Sequence, residues 1–374
     1  MNEIEKEQTV SANERMILDI VRRSKGLARS AIAGQTNLTQ QSVHRIIDHL
    51  VKLEFLQLGE PIIQGRGQPS PHVSLNPEAF FSIGVSLNTD DMSVSLVNFC
   101  GETLLEENIP FAPVKRLETQ AWLKTLLERW CQQNPSIESR IVGVGFAMTG
   151  YFIKEQGHIR PPDPLFDWSG VDLQAELEAL LGWPVILINN ATTGAIGEAF
   201  HGAGLTYQTF GYLSFNFGFG GGIVIDGEPF FGAYGNAGEI GRIFTTEEAP
   251  QRPALSMLIK ALARQGIDVP SVAKLKTLFD PTWPGVAEWV EQTTPYFLRA
   301  INALRGVIDP DAIVLGGEIP KSLAHMLLDS LERRGMTSSQ DISVWPQMIV
   351  SELKGDSATL GAALQPLRQT FFRK

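Results

Sequence analysis

Asn189 and Asn190 stand together at the end of an apolar run, Leu181 to Ile188, and small residues follow them in "LINNATTGAIGE" (187–198). Two neutral amides at the exit of a strand can hold hydroxyl groups, because each amide both donates and accepts. Neither takes a proton at neutral pH, so the pair suits binding and not general-base catalysis. Glu239, in "GAYGNAGEIG" (232–241), adds a carboxylate able to accept from two vicinal hydroxyls. Arg242 adds a donor for a hydroxyl, a carboxylate or a phosphate, unless it merely pairs with Glu247 or Glu248. Glycine-rich turns recur where strands should end: "GFGGG" (218–222), the 232–241 stretch and "LGG" (315–317). Ligands of open α/β sheets bind beyond the carboxyl ends of strands, so these turns and amides predict a cleft for a polar small molecule.

The elements that must position these groups are strands alternating with helices. "FFSIGVSLN" and "MSVSLVNFCGETL" are β-rich and joined by "TDD", a predicted hairpin. A helix ("QAWLKTLLERWCQQN"), a strand ("RIVGVGFAMTG"), a helix ("VDLQAELEALLG") and the strand "WPVILINN" come next. The second half repeats the rhythm: strands in "GYLSFNF" and "GGIVIDGEPF", a long helix near 285–307, the strand "DAIVLGG" and a last helix from about Asp356. Such a pattern, stated twice, implies an α/β body of two lobes with the cleft between them.

The first residues read differently. "NERMILDIVRRSKG" puts Met16, Ile17, Ile20 and Val21 on one helical stripe, with Gly26 as its stop. "ARSAIAGQTN" is a second, short helix, and Asn37 can take the left-handed turn after it. Thr39 is a good N-cap for a third helix, "QQSVHRIIDHLVKLEF". Val43, Ile46, Ile47, Leu50 and Val51 share its apolar face; Gln40, Gln41, Ser42, His44 and Arg45 lie elsewhere, in the first turns. That arrangement fits a recognition helix, whose N-terminal residues meet base edges in the major groove. "EPIIQGRGQPSPHVSLN" is a hairpin with Gly-Arg-Gly at its tip, placing Arg66 to reach a minor groove or a phosphate. A three-helix bundle with a merely solvated face is the alternative; the wing argues against it.

Charge supports the division. Residues 11–76 hold eight Lys/Arg against five Asp/Glu, although the whole chain of 374 residues has a net charge of −10. A basic head on an acidic body is the footprint of a local nucleic-acid contact, not of a protein that coats nucleic acid. The length implies two or three domains, and no apolar run approaches the ~18–20 residues of a membrane span. The polar N-terminus and the two cysteines, Cys100 and Cys131, predict a cytoplasmic protein with reduced thiols, no structural zinc and no membrane partner.

Winged helix, long body, "NPEAFFSIGV", "GNAGEIG" and "IDPDAIVLGG", in that order, resemble the ROK family of sugar kinases and sugar-responsive repressors, from about residue 13 to the end. The resemblance implies a ribonuclease H-like, actin-like body. It divides the chain into a tail (1–12), a winged helix-turn-helix domain (13–76), a first lobe (77–190) and a second lobe (191–374) that includes the C-terminal helix. Only the family's regulatory branch has the N-terminal winged helix.

Set against the family's kinases, the chain departs wherever chemistry is done. "SLNTD" stands where they have an Asp-x-Gly-Gly-Thr type phosphate loop, with Ser86 for the Asp, Asn88 and Thr89 for the glycines and Asp90 for the Thr. "NFGFGGG" puts Phe217 where their second phosphate loop has a threonine. Asn190 stands where their catalytic Asp deprotonates the sugar hydroxyl, a loss of about 10²–10⁴ in rate. Arg242 replaces a His that many members follow with a zinc-binding, cysteine-rich loop. "MTG" (148–150) matches the sugar-side loop, with Thr149 where many members have Pro, and Asp163 lies near a segment that often supplies an Asn.

The resulting expectation is a repressor without catalytic residues, metal or cofactor. It would bind operator DNA through Gln40, Gln41, Ser42, His44, Arg45 and Arg66 as a homodimer or homotetramer. A small carbohydrate or sugar phosphate would be held by Thr149, Gly150, Asn189, Asn190, Glu239 and Arg242. The rival readings are an ATP-dependent carbohydrate kinase with a fused DNA-binding head, and a scaffold that binds a partner protein through its acidic body.

Overall fold

The computed structural model describes residues 10–62, 70–153, 157–335 and 344–372. At the N-terminal end, α1 (Ala12–Arg23) starts from a capping box made by Ser11 and Glu14 and buries Ile17, Leu18 and Val21. Then come β1 (Leu27–Ala28), α2 (Arg29–Ala33) and α3 (Gln40–Lys52), followed by β2 (Leu56–Ile62) and β3 (Ser70–Leu75). Thr39 Oγ1 caps α3 by accepting from the Ser42 N–H at 3.2 Å. The strands form an antiparallel sheet in the order β1-β3-β2. Three helices and this pair of strands stand in the order expected of a winged helix-turn-helix. Asn37, however, does not take the left-handed conformation; the positive φ angles here belong to Lys25, Gly26 and Glu54, just after α1 and α3.

The body holds two five-stranded sheets. The first comprises β4 (Phe81–Leu87), β5 (Met92–Asn98), β6 (Thr103–Asn108), then α4 (Arg116–Gln133), α5 (Pro135–Glu138), β7 (Ile141–Met148), a small β8 (Tyr151–Phe152)–β9 (Ile159–Arg160) flap, α6 (Leu173–Leu181) and β10 (Val185–Asn189). Its strand order is β10-β7-β4-β5-β6. The second half begins with α7 (Asn190–His201), then β11 (Phe210–Phe215), β12 (Phe219–Ile225) and β13 (Glu228–Pro229). It continues with α8 (Leu255–Arg264), α9 (Val272–Leu278), α10 (Val286–Ile308), β14 (Ala312–Gly317), α11 (Lys321–Arg333), β15 (Gln347–Val350) and α12 (Ser357–Leu367). This sheet has the order β13-β12-β11-β14-β15. In each sheet the first three strands run antiparallel and the last two join parallel to the first, so one topology occurs twice.

Two details of the sequence pattern resolve differently. "MSVSLVNFCGETL" is not one strand but two, β5 and β6, turning at Gly101 (φ 79°). Gly220 to Gly222 lie inside β12 and not in a turn, and Ala195 of α7 packs against Gly222.

Every residue of β4 and β5 is buried, as in a sheet covered on both faces. α4 and α6 supply one cover through Leu123, Leu126, Leu127, Leu173 and Leu177. The other cover is α12. The sequence pattern placed this helix with the second lobe, yet it lies on the first lobe's strands, so close that a Cβ on Gly145 would stand 1.9 Å from the Ala362 carbonyl. α7 covers the second sheet in the same way, and α7 and α12 pack on each other between the sheets. At their crossing, a Cβ on Gly361 would fall 1.7 Å from the Thr193 carbonyl oxygen.

The head is joined to the body by a continuous core. Phe55 of the head meets Phe80, Phe99 and Phe371 at centroid distances of 5.0, 6.3 and 5.6 Å. Arg22 of α1, its side chain 6% exposed, pairs with Asp19 at 2.7 Å, stacks on Phe200 at 4.0 Å and donates to the Phe200 carbonyl at 3.3 Å. Among the described residues no helix is long and apolar enough to cross a membrane.

Candidate functional site

α3 presents Gln40, Gln41 and Arg45 to solvent on its first turns. Ser42 is half-buried and tied to the cap, its hydroxyl 2.9 Å from Thr39 Oγ1. His44 is half-buried too, and its Nε2 is enclosed with no partner among the described residues. The exposed polar edge of α3 is therefore narrower than the five residues expected from the sequence. Arg66 and the wing tip lie outside the described residues.

The second candidate site is a cavity of about 390 Å³ between the lobes, within the usual size of a small-molecule site. All six residues expected to hold a sugar line it: Thr149 and Gly150 after β7, Asn189 and Asn190 where β10 becomes α7, and Glu239 and Arg242 from the loop after β13. Asp163 is exposed and stands outside the lining.

Asn189 is the N-cap of α7: its Oδ1 accepts from the Ala191 N–H at 2.8 Å. Its amide nitrogen donates to Glu239 Oε1 at 2.8 Å and to the Gly150 carbonyl, so it ties the loop of one lobe to the strand end of the other. Asn190 Nδ2 lies 2.8 Å from Asn88 Oδ1, 3.0 Å from Thr149 Oγ1 and 3.1 Å from the Leu87 carbonyl. All three accept from the Asn190 amide here; the Leu87 carbonyl can only accept, so an ionised carboxylate at position 190 would face it without a proton to offer. Asn190 Oδ1 is enclosed and has no partner among the described residues. A buried acceptor in that condition costs free energy until a donor reaches it.

Three further asparagines belong to this arrangement and were not singled out as contacts. Asn216 Nδ2 donates to Asn88 Oδ1 at 3.2 Å across the cleft. Asn236 grips the β8 flap twice, accepting from the Phe152 N–H at 2.8 Å and donating to its carbonyl at 2.9 Å. Asn88 and Asn216 follow β4 and β11 directly, the same strand-exit signal that marked Asn189 and Asn190.

Burial pushes the Glu239 carboxyl up to about 7, with Arg242 opposing. Arg242 lies over the Tyr151 ring at 4.4 Å, and Glu248 is taken by Arg299 at 2.7 Å, so Arg242 is directed to the cavity rim.

Beside this cavity, with Asn216 common to both, lies a second of about 360 Å³. Asp90, Asp91, Glu106, Glu318 and Asp356 line it, against Lys274 and Lys276. Glu318 pairs with Lys276 at 3.1 Å, yet burial and the nearby Asp356 push its carboxyl up to about 7. Among the described residues no group of three His, Cys, Asp or Glu side chains is placed to hold a metal ion.

The chain is similar to known proteins over most of its length. The ROK family model matches residues 82–367. A xylose repressor of Caldicellulosiruptor bescii is 29% identical over 275 residues, covering 68% of each chain. The crystal structure of a ROK family transcriptional regulator, a homologue of the E. coli MLC protein, superposes with a TM-score of 0.70 at 18% identity over 98% of both chains. That of a ROK family glucokinase from Streptomyces griseus, in complex with glucose and AMPPNP, gives 0.62 at 18% identity, over 76% of this chain and 98% of the other. Matched over three-quarters of its residues, and built on the repeated lobe topology, the chain belongs to the ROK family.

Proposed function

We propose that the chain is a sugar-responsive transcriptional regulator, working as a repressor: the winged helix binds operator DNA, the interlobe cavity binds a carbohydrate, and no phosphoryl group is transferred. The observation that supports this most directly is α7. Its N-terminus carries Asn189 and Asn190 into the cavity, and its last turn presents the Phe200 carbonyl to Arg22 of the head. One helix, buried from Asn190 to Phe200, thus runs from the cavity to α1 of the head, which in turn packs on α3.

A ligand whose hydroxyls enter the amide network competes for Asn189, Glu239 and the donor-less Asn190 Oδ1. It therefore binds the lobe arrangements unequally, and it can shift operator affinity only by that difference. Gln40, Gln41 and Arg45 are the base-reading candidates, and a second copy of the chain would meet the other half of a two-fold symmetric operator.

Two features argue against turnover. Asn190 is a donor where a base would be needed, and carboxylates line the neighbouring cavity where a polyphosphate would have to lie. The glucokinase-like fold nevertheless makes ATP-dependent sugar phosphorylation the reading to test beside it.

The experiment is a gel-shift titration against genomic fragments at fixed salt, with and without a sugar library, run alongside the phosphorylation assay. Specific retention is expected, released by a sugar, with no phosphorylated product. Gln41→Ala and Arg45→Ala are expected to relax specificity by ~1–3 kcal/mol. Arg22→Met should retain sugar binding while losing the sugar's effect on retention. Absence of any specific DNA, or a sugar phosphate formed at an enzymatic rate, refutes the proposal.

A further inference from the structure

We propose that the ligand of the interlobe cavity is an anionic sugar, a monosaccharide bearing a single phosphate or carboxylate, whose charge is met by Arg160, Arg242, Arg252 and Lys260. This rests on the reading above that the cavity takes a carbohydrate.

The four cations line one cavity, and Glu239 is the sole carboxylate lining it among the described residues. Elsewhere this acidic chain pairs many of its arginines, with Arg15, Arg45, Arg140 and Arg264 as exceptions among the described residues. Arg116 pairs with Glu176, Arg129 with Glu107, Arg299 with Glu248, and Arg333 and Arg334 both with Glu291. In the cavity it does not: among the described residues none of the four lies within ion-pair distance of a carboxylate. Arg242 lies over the Tyr151 ring at 4.4 Å, and its side chain makes no hydrogen bond among the described residues, which leaves its N–H groups to a ligand. Arg252 spends only Nε, on the Ala249 carbonyl at 3.4 Å. Glu239 offers less compensation than an exposed carboxylate would, since burial favours its neutral form.

The cations also come from both sides of the cleft. Arg160 is on β9 of the first lobe; Arg242, Arg252 and Lys260 belong to the second, Lys260 on α8. An anion between them replaces like-charge repulsion by attraction on both sides, and so favours the lobe arrangement in which all four can reach it. The charge it can carry is limited in extent. Past Asn216 the cleft turns acidic, with Asp90 and Asp91, so one phosphate or carboxylate is accommodated and a polyphosphate tail is repelled.

The test is isothermal calorimetry on the full chain with matched sets: glucose, glucose 6-phosphate and glucuronate; galactose, galactose 6-phosphate and galacturonate; ribose and ribose 5-phosphate; and inorganic phosphate alone. In at least one set the charged member should bind about ten- to a hundredfold more tightly than the neutral one. That advantage should shrink with added salt. The double variant Arg242→Gln, Arg252→Gln should remove it while leaving the melting temperature of the protein alone unchanged. The phosphate and carboxylate arms say which anion is preferred. Neutral sugars binding as well as charged ones overturns this inference and leaves the carbohydrate reading standing. So does a charge advantage that survives the double variant. Inorganic phosphate binding as tightly as any sugar overturns it too. If no sugar of any kind binds, the carbohydrate reading itself fails, and the inference with it.

Discussion

The two cavities on either side of Asn216 are nearly equal in volume and opposite in charge. The larger collects Arg160, Arg242, Arg252 and Lys260 around a single Glu239; the smaller collects five carboxylates around two lysines. Both are built the same way, from loops at the carboxyl ends of strands in a lobe topology that occurs twice. Topology thus decides where ligands can go, and side-chain charge decides which ones are admitted. One fold thus carries a cationic, amide-lined cavity on one side of Asn216 and an acidic one on the other.

The largest expected effect breaks both cavities together. α7 supplies Asn190 to the first, and Asp356, the N-cap of α12, lines the second. The two helices cross at Gly361, where any side chain would overlap the Thr193 backbone. Backbone cannot yield as a flexible side chain can, so Gly361→Val is expected to cost more than about 4 kcal/mol. The measurement is chemical denaturation of the purified variant. A variant of normal stability would mean that the crossing is not what holds the two sites in register.

Replacing one amide tests how independent the cavities are. In Asn190→Asp the new carboxyl faces the Leu87 carbonyl and Asn88 Oδ1, both accepting from the amide now, and the Thr149 hydroxyl, which can turn to donate to it. Asn88 can turn its amide to donate, but Asn216 then loses its acceptor. A loss of about 1–3 kcal/mol is expected. A protonated carboxyl can donate in place of the amide, so its folded-state pKa is raised and the loss deepens as pH rises through it. Although it introduces a carboxylate, the variant is expected to form no sugar phosphate from ATP, because Asp90 and Asp91 still line the second cavity. Melting curves from pH 5 to 8, with a phosphorylation assay, check both halves; turnover would show that charge inversion does not exclude the nucleotide.

Much of this was legible in the residues, and the part that was not has a common cause. Most strands and the long helices followed from periodicity, although α8, α9, α11 and β15 were not singled out, and the strand-exit asparagines Asn189 and Asn190 line the interlobe cavity. The C-terminal helix was misplaced because its return to the first sheet is a long-range packing choice, which local pattern does not encode. A clue existed: α12 is buried all round, which marks a helix held between two layers and not one on a surface. The Asn88–Asn190–Asn216 network and the sorting of charge between cavities were invisible for the same reason. Which loops share a cavity is set by strand order, and His44 showed the same limit in the head, where a polar residue on the expected face proved half enclosed.

The smallest expected effect sharpens the comparison most, because it turns on a sign. Glu239 and Glu318, one in each cavity, both have carboxyls pushed up to about 7 from an ordinary 4.5, chiefly by burial. Between those values the folded protein holds protons that the unfolded chain has released, so stability falls as pH rises from about 4.5 to about 7 and then levels. Glu239→Gln and Glu318→Gln should each flatten part of that fall in pH-dependent melting. Their remaining interactions differ. Glu239 meets a cation, Arg242, whereas Glu318 also meets the like charges of Asp356 and Asp91, opposed by Lys276. Above pH 7, added salt screens attraction in the first cavity and net repulsion in the second. Salt should therefore narrow the stability gap between the wild type and Glu318→Gln, and widen that between the wild type and Glu239→Gln. The same response from both variants would mean that the two cavities do not differ in the charge each ionised glutamate experiences.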